Sequence, residues 1–316
     1  MSEQSSQLFR RTVPSGGGTY GRSQAPLHCT AAVEARLGTA TGLDDFSRKA
    51  QFVTYESHRA MFEARNTRLR PRDEAGGPTP RLSQPAPYSA VWQTYEAVDG
   101  DGAYYGARKG CEPVHVQADP VSGRVIAVNR TARPITNATL TAHYYDLDGR
   151  RLVPEQRKRV NVGPSATASV FTADRMDSLP PFHLLRLLLE DPLGQVLSEN
   201  TYWRYREAAD MRSLNTARQT RVAAELGAPG RNDGRRTLTA SLRNHGTAVA
   251  AMVRLCLLDG ETGDRVLPTL YGDNYLWLLP GESRTVSLSW PPSALPADHR
   301  PKLRLDGYNV PRAYAR

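Results

Sequence analysis

The sequence predicts a mainly β fold in which two β-sandwich domains follow one another, with a helical segment ahead of them. The first observation is a repeat, because Val114–Arg204 and Thr220–Arg312 carry the same order of apolar runs and turn residues about 115 residues apart. The second is that these runs alternate apolar and polar side chains, as strands with one buried face do. The third is the Asp-Gly, Pro-Gly and Asn-containing breaks between runs, which suit tight antiparallel connections. A repeat of this length indicates two immunoglobulin-like sandwiches in tandem.

The first hundred residues have a helical pattern instead. Ala31–Leu37 and Asp44–Ala64 place apolar residues at helical spacing, and the sequence predicts a helix over each. Gly38 is placed to end the first helix in a left-handed cap. Thr41 and Asp44 resemble a capping box ahead of the second helix. We expect these two helices to lack a core of their own, and so to add little to the stability of the chain.

Pattern-free sequence surrounds both helices. Residues 7–27 and 65–87 are rich in Arg, Pro, Gly, Ser and Thr, with no apolar period. We expect residues 1–30 to be disordered or non-native and residues 65–101 to form an irregular linker. Two explanations stay open: shifted reading frames in a decaying or misread gene, and a genuine disordered linker.

The first sandwich is predicted over residues 102–206. Its strands are predicted at Arg124–Asn129, Leu140–Tyr145, Ala166–Phe171 and Leu185–Leu187. Asp146–Gly149 superficially resembles a calcium loop, but its glycine comes too early and the required downstream glutamate is absent. A hairpin turn explains this segment better.

The second sandwich is predicted over residues 207–316. Its strands are predicted at Thr237–Asn244, Val249–Leu258, Thr285–Trp290 and Leu303–Leu305. Two sets of residues alternate with polar neighbours and are assigned to the core: Leu238, Ala240 and Leu242 on one strand, and Val286, Leu288 and Trp290 on the other.

Composition limits the function classes. The chain has 316 residues and a net charge of +9, but its arginines are spread along the whole length, so no nucleic-acid partner is expected. The three cysteines, at positions 29, 111 and 256, form neither a disulfide framework nor a zinc pattern, and buried or free thiols are expected. Met1–Arg11 has no apolar run, so neither a signal peptide nor a membrane span is predicted. The chain as written is expected to be cytoplasmic.

Sequence motifs for catalysis or cofactor binding are missing. The seven histidines are dispersed without metal-ligand spacing, so no metal site is predicted. There is no Gly-x-Ser-x-Gly nucleophile motif and no phosphate-binding glycine loop. No cofactor is therefore expected.

Several separated motifs resemble exo-β-D-glucosaminidases of glycoside hydrolase family 2. The last helical stretch of that family's catalytic barrel is similar to Ala31–Gly38, Asp44–Gln51 and Tyr55–Ala64, and its junction to the fourth domain is similar to Gly102–Lys109 and Cys111–Gln117. The most characteristic motif is Tyr271–Tyr275 together with Leu278–Ser283. The resemblance covers residues 31–64 and 88–316, and the motifs keep their order.

The resemblance implies a five-domain enzyme with a (β/α)₈ barrel, of which residues 31–64 would be remnant helices. The two sandwiches would be its fourth and fifth domains, the second being the exo-β-D-glucosaminidase-type domain. The family's retaining mechanism needs two carboxylates about 5–5.5 Å apart. In the family both catalytic carboxylates lie on barrel strands that precede the second helix. Neither catalytic carboxylate is expected in this chain. Arg65–Ala90, at the place of the eighth strand, is too rich in charge and proline for a buried parallel strand, and only Pro87–Trp92 resembles the family.

The resulting expectation is a set of C-terminal accessory domains from a protein of chitosan or glucosaminide degradation, with no catalytic residue and no activity as a free chain. Two alternatives are a subunit of a split hydrolase, active with a barrel-bearing partner chain, and a free-standing carbohydrate-binding module. Partners would be a chitosan-type oligosaccharide or the barrel-bearing chain. Intact family members are often secreted. Substrate-binding candidates are Trp92, Tyr275 and Trp277, although the apolar neighbours of Trp277 favour packing.

Overall fold

A computed structural model of the chain describes residues 25–66, 101–173 and 178–315. Its helices are α1 (Ala25–Leu37), α2 (Leu43–Asn66) and α3 (Gly102–Gly110). The strands of the first sandwich are β1 (Val114–Ala118), β2 (Arg124–Asn129), β3 (Ile135–Tyr145), β4 (Gln156–Val162), β5 (Ala166–Thr172), β6 (Phe182–Glu190) and β7 (Val196–Tyr205). A 3₁₀ segment, Ala208–Thr216, leads from this sandwich to the next.

The strands of the second sandwich are β8 (Val222–Leu226), β9 (Gly230–Asn232), β10 (Arg235–Asn244), β11 (Ala250–Asp259), β12 (Leu270–Tyr271), β13 (Leu276–Leu278), β14 (Ser283–Trp290), β15 (Pro301–Asp306) and β16 (Ala313–Tyr314). A short 3₁₀ turn, Pro292–Ala294, lies between β14 and β15. The predicted segments Thr237–Asn244 and Thr285–Trp290 thus fall within single strands.

Both sandwiches pair their repeated strands in the same way. In the first, the sheets have the strand orders β1-β2-β5 and β4-β3-β6-β7. In the second, they have the orders β12-β14-β10-β8, with β9 also on β10, and β13-β11-β15-β16. Each repeat therefore contains the same two antiparallel pairs, β2 with β5 and β3 with β6 in one, β10 with β14 and β11 with β15 in the other. The predicted tandem of β-sandwiches is confirmed.

The predicted strand faces are also confirmed. Leu238, Leu242, Val286 and Trp290 are all buried in the core of the second sandwich. Leu238 lies directly opposite Leu288 in the β10–β14 pair, so the apolar faces of the two strands coincide. Asp146–Gly149 forms the predicted turn after β3, with a 3.0 Å bond from the Gly149 amide to the Asp146 carbonyl.

The two predicted helices are present, but α1 begins six residues earlier than predicted, and α2 extends one residue further at its start and two at its end. Gly38 has φ +74°, the left-handed conformation predicted for the end of α1. Ahead of α2 the predicted capping pair is wrong by one residue. The Thr41 amide donates to the carboxylate of Asp45 at 2.9 Å, so Asp45 rather than Asp44 caps this turn.

The expectation that α2 has no packing partner in this chain is wrong. Its side chains Phe52, Val53 and Tyr55 are buried in the same core cluster as the apolar residues of the second sandwich. Residues 102–110, which follow the proposed linker, form a further helix packed along α2. The two helices therefore belong to the same packed body as the sandwiches. In the described part of the chain, no helix is long and apolar enough to cross a membrane.

Candidate functional site

An aromatic layer joins α2 to both sandwiches. Phe52 of α2 stacks on Trp203 of β7, with ring centroids 3.9 Å apart. Trp203 in turn lies 5.2 Å from Trp277 of β13. Tyr275 is 5% exposed and approaches Tyr55 of α2 at 6.4 Å between ring centroids. Two of the three substrate-binding candidates thus pack between domains, and Trp92 lies outside the described residues.

Three glycines allow α3 to lie unusually close to α2. Gly102, Gly106 and Gly110 recur at every fourth position, which puts them on one face of α3. A Cβ atom on Gly110 would stand 3.0 Å from the carbonyl oxygen of Arg59, and one on Gly106 would overlap the carbonyl of Tyr55. Only hydrogen fits at these contacts, so the spacing of the glycines fixes how the two helices pack.

A cluster of buried polar groups lies where α2, β1 and β7 meet. The carboxylate oxygen Oε1 of Glu63 accepts hydrogen bonds from Asn200 at 2.8 Å and Tyr202 at 2.7 Å. The side-chain amide of Gln117 donates to the Glu63 carbonyl oxygen at 2.8 Å. Because an unpaired buried carboxylate is costly, these bonds hold the helix in one register against the strands.

His115 completes this cluster by bridging two carboxylates. The ring is fully buried, with Nε2 3.0 Å from Glu63 Oε1 and Nδ1 3.1 Å from Glu112 Oε2. A carboxylate only accepts, so both ring nitrogens must donate, which requires the imidazolium form. Burial lowers the pKa of His115, but the hydrogen bonds to Glu112 and Glu63 outweigh it and raise that pKa above its ordinary value.

The pKa values of the two carboxylates shift in the complementary direction. Burial raises the pKa of Glu63, yet its hydrogen bond from His115 and the charge of Arg59 bring that pKa below the ordinary value. Glu112 behaves in the same way, with His115 and Lys109 outweighing burial and lowering its pKa. Both carboxylates are therefore ionised across the neutral range and pair with the His115 cation.

Arg59 supplies a second cation on α2. Its guanidinium donates to the Asn200 side chain at 2.9 Å and to the carbonyl of Thr201 at 2.6 Å. It also lies 4.1 Å from the ring centroid of Tyr202, the geometry of a cation–π contact. Nearby, Trp203 donates its indole N–H to Glu56. The helix is thus fastened to β7 by both polar and aromatic contacts.

A cavity of about 470 Å³ separates the N-terminal half of α2 from the second sandwich. Its lining includes Arg48 and Gln51 of α2, Met252 and Arg254 of β11, Tyr275, and Tyr308. Arg254 is held by a bidentate pair with Asp306, at 3.1 and 3.0 Å. Met252 and Tyr275 both have positive φ, at 52° and 59°, a conformation uncommon for such side chains. The lining combines aromatic and hydrogen-bonding groups, as sites for hydroxyl-rich ligands do.

Two further carboxylates, outside the polar cluster, are paired with arginines. Glu199 and Glu282 share the cations of Arg186 and Arg284 at the contact between the sandwiches. Within residues 25–66, 101–173 and 178–315, no group of three or more His, Cys, Asp or Glu side chains is arranged to hold a metal ion. Cys111 is an exposed thiol and Cys256 a buried one.

Sequence patterns pointed to none of the residues of the polar cluster. Glu63, His115 and Asn200 come from three distant segments, and buried polar residues do not contribute to an apolar period. One signal was available: an uninterrupted helix carrying charged residues at Arg59 and Glu63 on its apolar side. Charges on that side require partners from whatever packs there.

Two family models match segments of this chain. Residues 200–310 match the family model described as exo-beta-D-glucosaminidase Ig-fold domain, and residues 123–205 match the one described as mannosidase Ig/CBM-like domain. The chain is similar to an exo-beta-D-glucosaminidase of Amycolatopsis orientalis, with 30% identity over 88% of this chain and 29% of that protein. It is also similar to one of Streptomyces avermitilis, with 29% identity over 93% of this chain and 36% of that protein.

A solved structure gives the same result in three dimensions. The exo-chitosanase CsxA of Amycolatopsis orientalis superposes with a TM-score of 0.79 and 28% identity, covering 90% of this chain and 36% of that one. The chain thus spans about a third of the length of these relatives, 29% and 36% for the two curated proteins. The C-terminal region of this chain, with its two immunoglobulin-like sandwiches, is therefore similar to that of the exo-β-D-glucosaminidases of glycoside hydrolase family 2.

Proposed function

We propose that these 316 residues supply the C-terminal accessory domains of a glycoside hydrolase family 2 exo-β-D-glucosaminidase-like protein. In this proposal α2 is a helix of the catalytic barrel, and the two sandwiches clamp it in place. The barrel-bearing polypeptide is the partner, and the pathway is the breakdown of chitosan or related glucosaminides. The domain matches and the names of the relatives support this assignment.

The docking of α2 is the observation that carries the proposal. One helix contacts β7 of the first sandwich through Trp203 and contacts the second sandwich through Tyr275. Buried ion pairs at such a contact are unfavourable unless every partner is present, so they specify one arrangement. An interface that combines aromatic stacking with buried hydrogen bonds suits a permanent junction between a barrel and its accessory domains.

We propose further that the free chain is catalytically inactive. Retaining hydrolysis requires a nucleophile and a general acid about 5–5.5 Å apart around the sugar. The best-buried carboxylate here, Glu63, is ionised and bonded to His115, Asn200 and Tyr202, so it cannot act as the acid. Accessory domains alone would leave the glycosidic bond intact.

The test is release of glucosamine from a chitosan oligosaccharide by the purified chain. We expect no turnover above that of a matched preparation without the protein. Addition of a barrel-bearing fragment of the Amycolatopsis relative, lacking its own C-terminal region, is expected to produce a complex, and turnover in that complex would favour the split-hydrolase alternative. Turnover by the chain alone would contradict the proposal.

The cavity beside α2 favours a second candidate function, a carbohydrate-binding module. Tyr308 offers aromatic surface, and Arg48 and the Arg254–Asp306 pair offer hydrogen bonds, within about 470 Å³. That is space for one sugar unit by the usual size of ligand sites, about 300–1,000 Å³. Titration with glucosamine and chitosan oligosaccharides tests it. Binding that is weakened by Arg48→Ala but not by Arg231→Ala, an exposed residue of β9, would support this function.

A further inference from the structure

His115 is the group in the polar cluster whose charge can change near neutral pH. It is fully buried between carboxylates of two different segments, with 3.0 Å to Glu63 of α2 and 3.1 Å to Glu112, which precedes β1. Only the imidazolium can donate to both oxygens at once. Removal of one proton would therefore place a ring lone pair against an ionised carboxylate.

Two carboxylates and two cations lie around this ring, so its proton is required by the two hydrogen bonds and not by net charge. From α2 it faces Glu63, with Arg59 behind that carboxylate at 3.9 Å. From the end of α3 and the segment after it, it faces Glu112, which pairs with Lys109 at 2.7 Å. From β7 it faces neutral groups, since the Asn200 amide nitrogen lies 3.4 Å from Nε2 and the Tyr202 hydroxyl donates to Glu63. The carboxylates of Glu63 and Glu112 therefore both interact with His115, and each also lies near a second cation, Arg59 or Lys109.

The two β7 groups that donate to Glu63, the Asn200 amide and the Tyr202 hydroxyl, are already in use, so they cannot replace the bond that this carboxylate would lose from His115. The Asn200 side chain uses its nitrogen to donate to Glu63 at 2.8 Å and its oxygen to accept from Arg59 at 2.9 Å. Burial and the charge of Glu63 raise the pKa of Tyr202 well above its ordinary value, so this phenol stays neutral. If His115 lost its proton, Glu63 would lose the charged donor that bonds its carboxylate to β1.

We propose that His115 makes the clamp on α2 dependent on pH, so that the helix is held most firmly when the ring is an imidazolium and is loosened when the ring loses its proton. The inference rests on the proposed clamp, and it adds the regulation of that same contact. Acidification of the medium would tighten the junction between barrel and accessory domains. Alkaline conditions would loosen it.

The expected size follows from proton linkage. His115 holds its proton more tightly when α2 is docked, so the docked state is favoured fully below pH 6.5, the ordinary value. Between that pH and the higher docked-state pKa, the open fraction of α2 should rise about tenfold per pH unit, and above the docked-state pKa it should level off. Glu63 and Glu112 have lowered pKa values in the docked state. Their contribution to the stability of docking is therefore lost only in acid, as the pH falls through those values.

Hydrogen exchange of the α2 amides in the full 316-residue chain, corrected for intrinsic exchange at each pH, measures that open fraction. We expect the tenfold-per-unit rise in the wild type and a flat profile in His115→Gln, which keeps one donor but cannot gain a charge. His58→Gln is the matched control, because His58 lies on the same helix and its Nδ1 faces only the backbone carbonyl of Thr54 at 2.8 Å. Amides of β10 serve as an internal reference.

Proton NMR of the histidine rings provides a second measurement if His115→Gln does not fold. Two rings in the wild type, those of His115 and His299, should titrate above pH 6.5, and Glu112→Gln should lower the value of His115 alone while keeping a hydrogen-bond acceptor in place. A wild-type α2 profile that is flat between pH 6 and 9, or a slope unchanged in His115→Gln, would overturn the proposal. Neither measurement uses activity, so its failure is separate from failure of the proposed function.

Discussion

Two asparagines hold equivalent positions in the two sandwiches and make equivalent bonds. Asn129 ends β2 and Asn244 ends β10, and neither is exposed. Asn129 donates to the Gly163 carbonyl at 3.0 Å, and Asn244 donates to the Leu278 carbonyl at the same distance. A buried amide is stable only when it is paired, so each asparagine fastens the end of its strand to a neighbouring segment.

Burial of individual apolar residues follows directly from strand alternation. Leu242 is not exposed at all and Trp290 is 1% exposed, as the spacing of two with their apolar neighbours predicts. The buried polar residues could not be found in this way. Glu63 and His115 are 52 residues apart, and nothing in either local sequence shows that a charge of opposite sign will lie opposite.

We expect Leu242→Ala and Trp290→Ala each to destabilise the second sandwich by roughly 2–5 kcal/mol, the usual cost of a cavity left by a large core side chain. Urea unfolding measures it. The matched control is Ser241→Ala, whose side chain is exposed on the same strand as Leu242. An unchanged urea midpoint in either variant would mean that Leu242 or Trp290 is not part of the hydrophobic core.

Helix α2 was predicted within two residues at each end, but its surroundings were not. The helical spacing of its apolar residues predicted the helix, and the structure buries its Phe52 and Tyr55 side chains. A period does not identify the surface that covers it, since a barrel and a pair of sandwiches would require the same pattern. The helix α3 was missed because its three glycines and its nine-residue length give little helical signal.

Gly106→Ala is expected to weaken the packing of α3 on α2 by roughly 1–3 kcal/mol, the cost of overfilling a close contact. The added methyl group would overlap the carbonyl of Tyr55, a backbone atom that cannot rotate away. Thermal unfolding followed by tryptophan fluorescence, to which Trp203 of this layer contributes, measures the loss.

Gly42→Ala provides the control for this substitution. A Cβ atom there would meet no heavy atom within 4 Å, and Gly42 precedes the same helix α2. Equal loss in both variants would point to a general effect of alanine on helix formation rather than to the close approach of the two helices.

At the scale of the molecule, the two sandwiches share one contact surface. Arg186 of β6 makes a bidentate pair with Glu282 at 2.8 and 2.7 Å, and Arg284 donates to Glu199 of β7 at 3.0 Å. Beside these ions, the Val249 amide donates to the Leu147 carbonyl at 2.9 Å. Glu282 belongs to the Leu278–Ser283 motif, so part of the sequence that resembles the family forms the contact between its two domains.

The repeat in the sequence predicted the number and order of the sandwiches. This was possible because the alternation of apolar and polar residues in each strand can be read from a short segment of sequence. The repeat could not predict that the aromatic side chains of the second sandwich form one cluster with α2. That cluster depends on segments more than 200 residues apart, such as Gln51 and Tyr275, which bond at 3.3 Å. Long-range contacts of this kind are set by packing rather than by the local sequence period.

The final prediction concerns the strength of that cluster. Two separately expressed polypeptides, residues 25–66 and residues 101–316, should associate into a complex, because α2 buries aromatic and paired polar residues against both sandwiches. Phe52→Asp should weaken the association by at least about 100-fold, since loss of a buried aromatic ring costs roughly 3–5 kcal/mol and the new charge would lie unpaired beside Trp203. Ser57→Asp, at an exposed position of α2, should leave the affinity unchanged. Calorimetric titration of one polypeptide into the other gives the dissociation constants, and failure of the wild-type pair to bind would show that the helix depends on the connecting segment rather than on its contacts.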